Sequence, residues 1–149
     1  MVLLDTNVLL YTLAEGSPFH VAARALYQQI TMGAVRACVT PQVLCEFLAA
    51  STDAHRFQPA LTTERAIQEL LVFWEAHSLH KIFPTPTTFG RAVTLIRQHR
   101  VSRQHVFDAF LVATMLEHGI ETIYTVNTKD FVMFKEIRVI NPFEARVAS

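Results

Sequence analysis

Three absences in this sequence each exclude a class of protein. Its 13 basic and 13 acidic residues cancel to a formal charge of zero, so no overall positive field indicates nucleic-acid binding, and only a local patch could serve that purpose. Cys38 and Cys45 lie seven residues apart without CxxC spacing, which indicates two small buried thiols and a reducing compartment. No stretch reaches about 18 apolar residues, and no basic region precedes the first apolar run. We therefore expect a soluble, cytoplasmic protein without a membrane segment.

The residues that are abundant indicate one domain with a large core. Hydrophobic residues make up 51% of the 149 residues and charged residues only 17%, a composition that excludes intrinsic disorder. A chain of this length buries roughly 70% of the surface that it exposes when unfolded. No repeat or linker divides the sequence, so residues 1–149 are expected to form a single domain. The apolar content also predicts that a partner covers part of the surface.

Short apolar segments alternate with helical periodicities along the chain. Hydroxyl residues followed by proline, as in Thr40-Pro41 and Thr85-Pro86, are typical of a helix N-cap with proline at the first helical position. Helices are predicted at about 18–31, 41–51, 63–78, 86–100 and 103–118, and strands at Val2 to Leu4, Ala37 to Val39, Lys81 to Phe83, Thr122 to Thr125 and Ile137 to Ile140. This alternation predicts an α/β fold in which helices flank both faces of a central parallel sheet of about five strands.

The first predicted strand is followed directly by a carboxylate. The opening stretch LLDTNVLLYTL places Asp5 and Asn7 in an otherwise mostly apolar run, and a buried charge without a partner would cost several kcal/mol. In open parallel sheets, ligands bind beyond the carboxyl ends of the strands, near the point where the strand order reverses. Asp5 is therefore expected at a functional edge of the sheet.

Three further acidic residues are candidates for the same site. Glu46 lies beside the apolar stripe of the helix TPQVLCEFLAAS without a cationic residue three or four positions away, although it could be an ordinary solvated glutamate. Asp108 lies in a helix whose apolar residues cover nearly the whole circumference, so it must lie against protein and needs a function or a cation such as a nearby arginine. Asp130 follows the fourth strand in the turn TVNTKDF, where Asn127 and Asp130 could instead cap a short helix.

Together these carboxylates predict a site for a divalent metal ion. Three or four carboxylates that converge without matching cations repel one another and raise each other's pKa, and a metal ion removes that repulsion. Ligation by oxygen alone, with few or no histidines, favours Mg²⁺ or Mn²⁺ over Zn²⁺. Such ions usually retain water and commonly act on phosphates.

Four segments follow one another at suitable spacing over nearly the whole chain: LLDTNVLL, PQVLCEF, VFDAFLVATMLEHGI and IYTVNTKDF. Together they resemble the PIN-domain ribonucleases, and within that family the VapC-like toxins of bacterial toxin–antitoxin pairs. The resemblance implies a three-layer PIN-like fold. It also implies an endoribonuclease that uses Mg²⁺ or Mn²⁺ and a metal-activated water to hydrolyse the phosphodiester bonds of RNA.

Carried over to this chain, the family pattern assigns roles to individual residues. Asp5, Glu46 and Asp108 match the family's acidic metal-site positions and would bind the ion and position the attacking water. Many relatives have aspartate where this chain has Asn127, so either Asn127 or Asp130 would complete the site. The side chains that would orient these ligands through hydrogen bonds are Thr6, Asn7 and Thr125.

Basic residues just before Asp108 are candidates for RNA binding. The arginines of the run RQHRVSRQHVFD are Arg97, Arg100 and Arg103. A helix that begins near residue 102 would add backbone N–H groups that could bind a phosphate. An ordinary solvated loop with surface arginines is the alternative.

The resemblance also implies two protein partners, a second copy of the chain and an antitoxin. VapC-like proteins typically form homodimers and are inhibited by an antitoxin, a segment of which docks in an apolar groove. The helices at 18–31 and 63–78 are candidate walls of that groove, although core packing would also explain their apolar residues Phe19, Leu26, Tyr27, Leu70, Leu71, Phe73 and Trp74. The alternative to a nuclease is a PIN-like module that binds RNA or protein without cleavage, which Asn127 leaves open.

Overall fold

The central element is a parallel sheet of five strands. The computed structural model describes residues 1–144 of the chain. The strands are β1 (Val2–Leu4), β2 (Ala37–Val39), β3 (Leu79–Lys81), β4 (Thr122–Tyr124) and β5 (Arg138–Ile140). They lie in the order β3-β2-β1-β4-β5 and every neighbouring pair is parallel, which confirms the predicted α/β fold. The last residues of the domain predicted over 1–149 lie outside the described residues.

Helices connect the strands and pack against the sheet. Those of the described residues are α1 (Thr6–Tyr11), α2 (His20–Thr31), α3 (Pro41–Ser51), α4 (Thr63–Glu75), α5 (Thr88–His99) and α6 (His105–Glu117), with a short 3-10 helix at Thr128–Asp130. Across residues 1–144, no helix has both the length and the apolar character needed to span a membrane. The predicted cap of α3 is present, because the Thr40 hydroxyl accepts a hydrogen bond from the Val43 N–H at 3.1 Å.

The strand order reverses beside β1. From β1 the chain proceeds outward to β2 and β3, and it then returns to add β4 and β5 on the other side of β1. Leu4 pairs with Tyr124, and the Asp5 N–H donates to the Tyr124 carbonyl at 3.0 Å. Asp5 and Thr125, the residues that directly follow β1 and β4, are therefore neighbours at the carboxyl edge of the sheet. This edge is the switch point at which such sheets bind ligands.

The core covers both faces of the central strands. Ala37, Cys38 and Val39 of β2 are all fully buried, and because successive strand residues point to opposite faces, both faces must be covered. The helix α6 is likewise buried at Ala109 and from Leu111 to Met115, as its apolar circumference predicted. Burial of this kind holds strands in one register, because a slip of one residue would turn every side chain to the opposite face.

The two cysteines differ in their surroundings. Cys38 is buried, as predicted, and burial raises the pKa of its thiol to about 12. Cys45 is exposed, so the prediction of two buried thiols is wrong for this residue. The reason is the helical period: α3 buries Val43, Leu44 and Phe47, and Cys45 lies on the other side of the helix.

The sequence pattern does not predict α1. Its residues Val8, Leu9 and Leu10 are consecutive and all buried, so no spacing of apolar residues distinguishes a helix from a buried strand. Asp5 is the N-cap of α1 and accepts a hydrogen bond from the Thr6 N–H. The carboxylate that interrupts the apolar run therefore marks both the end of β1 and the start of a helix.

The third strand lies two residues earlier than predicted. β3 spans Leu79–Lys81 and not Lys81 to Phe83. Leu79 is fully buried, whereas Phe83 is 48% exposed and packs edge-on against Trp74 with 6.3 Å between ring centroids. The apolar character of Phe83 therefore reflects a surface contact and not a place in the sheet.

Three helices begin two residues later than predicted. They are α2, α5 and α6, which start at His20, Thr88 and His105 and have no side-chain N-cap hydrogen bond. Before α2, the Ser17 hydroxyl instead accepts a hydrogen bond from the Phe19 N–H at 3.1 Å. Before α5, the Thr85 hydroxyl likewise accepts a hydrogen bond from the Thr87 N–H at 3.3 Å. The polar residues before α2 and α5 therefore stabilise turns that lead into these helices and do not cap them.

The apolar residues predicted as groove walls divide into two groups. Those that pack in or against the core are Phe19, Leu26, Tyr27, Leu70 and Phe73. The rings of Phe73 and Tyr27, for example, meet edge-on at 5.5 Å. Leu71 and Trp74 on α4 are instead 40% and 42% exposed, so they remain available to a partner.

Candidate active site

Four acidic side chains line one pocket at the carboxyl edge of the sheet. They are Asp5, Glu46, Asp108 and Asp130, supplied by the end of β1, by α3, by α6 and by the 3-10 helix. The pocket has a volume of about 640 Å³, within the usual range for binding sites of small ligands. The fold thus brings together the carboxylates that the sequence indicated one by one.

Asp5 is the most firmly held of these carboxylates. It is only 7% exposed. Its Oδ1 accepts a hydrogen bond from the Thr6 N–H at 2.8 Å, and its Oδ2 accepts bonds from Asn7 Nδ2 at 2.9 Å and Thr125 Oγ1 at 2.7 Å. Burial raises the pKa of Asp5 and the charge of Glu46 adds to the rise, while the hydrogen bonds oppose it. Because these three donors are neutral, they orient the carboxylate without cancelling its charge.

Thr125 and Asn7 join the ends of β1 and β4. The buried Thr125 hydroxyl donates to Asp5 and accepts bonds from Asn7 Nδ2 at 3.2 Å and the Asn127 N–H at 3.0 Å, which uses its full hydrogen-bonding capacity. Asn7 Oδ1 in turn accepts a bond from the Val126 N–H at 3.0 Å. These are the contacts that an orienting role for Asn7 and Thr125 requires.

Glu46 is held from two sides by neutral groups. The Thr6 hydroxyl lies 3.3 Å from Glu46 Oε2 and also 3.3 Å from the Val43 carbonyl, so its proton is shared between them. Gln42 Nε2, one helical turn earlier, donates to Glu46 Oε1 at 3.1 Å. Among the described residues no cation forms an ion pair with Glu46. The side chain lines the pocket and is not an ordinary solvated glutamate on a helix face.

Asp108 is held more loosely. Its side chain is 26% exposed, so it is not enclosed by protein as its apolar helix suggested, because it opens onto the pocket. Its partner is not an arginine but His105, whose Nδ1 donates to Asp108 Oδ2 at 2.9 Å. Burial raises the pKa of Asp108 to about 6, the hydrogen bond from His105 lowers it, and the charges of Asp130 and Asp5 raise it again.

Asn127 and Asp130 both line the pocket. The short helix that the alternative interpretation required is present, as the 3-10 helix, but the Asn127 side chain makes no capping hydrogen bond. The Asp130 N–H bonds instead to the Asn127 backbone carbonyl at 3.1 Å. The lining of the pocket therefore does not choose between Asn127 and Asp130 as the predicted fourth residue of the site.

The basic residue of the pocket lining is Arg56, from the loop after α3. Sequence reasoning missed it, because no motif or helical spacing connects this loop with the acidic residues. The arginines predicted to bind RNA, Arg97, Arg100 and Arg103, are exposed and do not line the pocket. Arg100 and Arg103 adopt left-handed backbone conformations, with φ of 52° and 56°, so the chain turns there and α6 does not begin near residue 102.

Phe107 is another residue of the lining that the sequence did not single out. Its side chain is 62% exposed, whereas Phe131, also in the lining, is 2% exposed and belongs to the core. The only signal in the sequence was the position of Phe107 next to Asp108. That position does not distinguish an exposed ring from a buried one.

The donors around the pocket fit a hard divalent cation. They are four carboxylates, the three amides of Asn7, Gln104 and Asn127, and the Thr6 hydroxyl. No cysteine lines the pocket, and its one histidine, His105, is hydrogen-bonded to Asp108. Oxygen donors of this kind suit Mg²⁺ or Mn²⁺. Within residues 1–144, no group of three or more Asp, Glu, His or Cys side chains is arranged so that it could hold one metal ion.

Comparisons with known sequences point to one family. The PIN domain model matches residues 2–138. Ribonuclease VapC33 of Mycobacterium tuberculosis is 27% identical over 142 residues, which cover 95% of this chain and 98% of that protein. Ribonuclease VapC48 of the same organism is 26% identical over 139 residues, which cover 93% of this chain and 95% of that protein.

Solved structures share the fold. A toxin–antitoxin complex from Klebsiella pneumoniae matches with a TM-score of 0.62 and 21% identity, covering 97% of this chain and 99% of that chain. The sarcin–ricin loop cleaving toxin VapC20 of Mycobacterium tuberculosis matches with a TM-score of 0.66 and 16% identity, covering 87% and 92%. At these identities the likeness concerns the fold alone. The PIN domain model spans almost the whole chain, and the carboxyl edge of this chain's sheet carries the acidic pocket. The chain therefore belongs to the PIN domain family.

Proposed function

We propose that this chain is a divalent-metal-dependent endoribonuclease and the toxin of a toxin–antitoxin pair. The observation that carries the proposal is the convergence of four carboxylates on one pocket at the switch point of a PIN-domain sheet. Relatives that align with this chain over nearly their full length are named ribonucleases, which supports RNA as the substrate.

The acidic residues would hold the metal ion. Asp5, Glu46 and Asp108 are the proposed ligands, with Asn127 or Asp130 completing the set. A bound Mg²⁺ or Mn²⁺ supplies positive charge that lowers the pKa of a water ligand and stabilises the charge on the attacked phosphate. The oxygen donors favour these two ions over Zn²⁺.

The neighbouring side chains would keep these ligands oriented. Thr125, Asn7 and the Thr6 N–H hold both oxygens of Asp5, the Thr6 hydroxyl contacts Glu46, and His105 fixes Asp108. A ligand that is already oriented loses less conformational freedom when a metal binds, and such supporting contacts commonly affect metal affinity by about 10- to 100-fold.

A cation must bring the RNA phosphate into an acidic pocket. Arg56 lines the pocket and is proposed to contact the phosphate backbone, where a guanidinium can donate two parallel hydrogen bonds. Arg97, Arg100 and Arg103 lie away from the lining and stay candidates for contacts with RNA farther from the cleaved bond. The pocket thus combines metal ligands with one residue for the substrate's charge.

An antitoxin and a second copy of the chain are the proposed protein partners. The related Klebsiella structure is described as a toxin–antitoxin complex. The exposed Leu71 and Trp74 of α4, with Phe83 beside Trp74, are an apolar surface that a partner would cover.

A cleavage assay tests the nuclease. Purified protein is incubated with a pool of structured RNAs and Mg²⁺ or Mn²⁺, beside Asp5→Asn, Asp108→Asn and the matched control Glu75→Gln, an exposed carboxylate outside the pocket. We expect the wild type and Glu75→Gln to cleave alike, EDTA to abolish cleavage, and both aspartate variants to lose at least about 100-fold in rate, because each removes a charged ligand of the ion.

Two results would contradict the proposal. Cleavage that survives EDTA, or that is equal in the wild type and both aspartate variants, would exclude the metal-dependent reaction at this pocket. If RNA is bound by all variants but cut by none, including the wild type, the PIN-like binding module becomes the better interpretation.

A further inference from the structure

Phe107 is an exposed aromatic ring at the edge of an otherwise polar and acidic pocket. Its side chain is 62% exposed although the residue lines the pocket. It lies in the first turn of α6, directly before Asp108. Leaving a large apolar side chain in water forgoes about 2 kcal/mol of burial energy, so this position calls for something that covers the ring when the site is occupied.

We propose that Phe107 is a stacking platform for an unpaired nucleobase of the RNA, beside the phosphate that the pocket binds. The inference rests on the proposed function, because it takes RNA as the ligand, and it adds the part of the nucleotide that the acidic residues cannot recognise. Proteins that bind single strands combine cationic groups for the backbone with aromatic rings for the bases, and Arg56 and Phe107 are this pair of groups in the pocket lining.

A hydrogen-bonded glutamine ties Phe107 to the acidic site. Gln42 Nε2 donates to the Phe107 carbonyl at 3.0 Å and to Glu46 Oε1 at 3.1 Å. One amide group therefore connects the backbone of the aromatic residue with a proposed metal ligand on another helix. This connection fixes the backbone of Phe107 relative to Glu46, so the ring extends from a defined position at the edge of the pocket.

The state of the base follows from the chemistry of stacking. A ring can stack only on a base face that is not already covered by a neighbouring base pair. Phe107 has no hydrogen-bonding group with which to read base edges. The platform therefore selects unpaired nucleotides near the cleaved bond and contributes little preference among the four bases.

The chain offers a matched control in Phe89. It is also a phenylalanine near the start of a helix, in α5, and it is 72% exposed, but it does not line the pocket. Replacement of either ring removes the same apolar surface from the protein. Only the Phe107 change should alter contact with the nucleic acid.

The test measures the base-dependent part of RNA binding. Asp5→Asn protein with Mg²⁺ is titrated, by fluorescence anisotropy, against a labelled riboadenosine oligomer of about 12 nucleotides and against a ribose-phosphate oligomer of equal length without bases. Addition of Phe107→Ala should weaken binding of the riboadenosine oligomer about 10-fold and leave the oligomer without bases within about 2-fold. Addition of Phe107→Trp should preserve the difference between the probes, and Phe89→Ala should leave both affinities unchanged.

Several outcomes would overturn the stacking proposal. The first is an equal loss of affinity for both probes in Phe107→Ala, and the second is the same loss of affinity in Phe89→Ala. The third is that the Asp5→Asn protein binds both probes equally before Phe107 is changed. The fourth is a change of oligomeric state in Phe107→Ala, measured by sedimentation, which would assign the ring to a contact between copies of the chain.

The failure of stacking and the failure of the nuclease are distinguishable. If the wild type cleaves RNA with Mg²⁺ but Phe107→Ala binds both probes normally, the nuclease stands and stacking falls. If the wild type cleaves nothing while the base-dependent loss is present, stacking stands and the nuclease falls.

Discussion

The two sides of the acidic pocket hold their carboxylates in different ways. On the strand side, Asp5 is buried and accepts three hydrogen bonds from neutral donors around the ends of β1 and β4. On the helix side, Asp108 is partly exposed and bonded to His105, a residue of its own helix. Asp5 accepts bonds from residues of α1 and from Thr125 after β4, so it cannot reorient without breaking several of them, whereas Asp108 has one such bond. The pocket therefore pairs a firmly held carboxylate with a less constrained one.

The same difference appears in the energetics of charge. Burial raises the pKa of both carboxyl groups. Around Asp5, three hydrogen bonds stabilise the charged form and partly offset the cost of burial, while Asp108 has one such bond and lies near the charges of Asp130 and Asp5. Removal of a hydrogen-bond donor should therefore destabilise the folded protein most at Asp5, and removal of the carboxylate charge should stabilise it most at Asp108.

The largest effect is expected when the strand-side support is removed by Thr125→Val. The substitution keeps the shape of the side chain but leaves Asp5, Asn7 and the Asn127 N–H without a shared partner. We expect the free energy of unfolding in urea to fall by about 2 to 3 kcal/mol and RNA cleavage to fall by more than about 10-fold, because Asp5 loses an orienting contact.

Thr114→Val is the matched control for this change. Thr114 is equally buried, but its hydroxyl donates only to the Phe110 carbonyl within α6 at 3.0 Å. We expect Thr114→Val to lower the free energy of unfolding by less than about 1 kcal/mol and to leave RNA cleavage unchanged. Equal losses in the two variants would show that the hydroxyl at the strand ends has no special role.

The second prediction compares the two aspartates without metal. In EDTA at pH 7.5, Asp108→Asn should be more stable than the wild type by about 2 kcal/mol, because the folded protein no longer carries a charge that burial disfavours. Asp5→Asn should show no gain, because an asparagine cannot accept all three bonds at that position and leaves donors unpaired. Chemical denaturation measures both, with Glu75→Gln as the unchanged control.

The pH dependence of the Asp108→Asn effect follows from the direction of the shift. The pKa of Asp108 is about 6 in the folded protein, above its ordinary value of 3.8, so the wild type binds this proton more tightly when folded. The stabilising contribution of this one proton is therefore fully present below about pH 4 and is lost as the pH rises through 6. The advantage of Asp108→Asn should be large at pH 7.5 and small at pH 4.5. A constant advantage at both pH values would contradict this explanation.

The smallest effect is expected at Gln42, which links α3 with α6 at the edge of the pocket. In Gln42→Met a side chain of similar length loses both donated bonds, to Glu46 and to the Phe107 carbonyl. We expect cleavage to fall about 3- to 10-fold, with a change in stability below about 1 kcal/mol. The exposed Gln98 of α5 provides the control Gln98→Met. An unchanged rate in Gln42→Met would indicate that cleavage does not depend on this link between α3 and α6.

The sequence was most informative where local order decides structure. The apolar run before Asp5 indicated a buried strand that ends in a carboxylate, and Thr40-Pro41 indicated the start of the helix that carries Glu46. It was least informative at α1, where consecutive apolar residues have no period, and at Phe83, whose apolar ring lies outside the sheet. Hydrophobicity favours the burial of a side chain, but it does not identify the element in which the residue lies.

By itself, the sequence determined the class of fold and the candidates Asp5, Glu46 and Asp108, because strand ends, helix caps and uncompensated carboxylates are properties of short segments. Only the tertiary structure decided which groups meet. Thr125 reaches Asp5 because β1 and β4 pair in one register, and Arg56 enters the pocket while Arg97, Arg100 and Arg103 do not. The physical reason is that a contact between distant residues depends on how whole elements pack, and no short stretch of sequence encodes that packing.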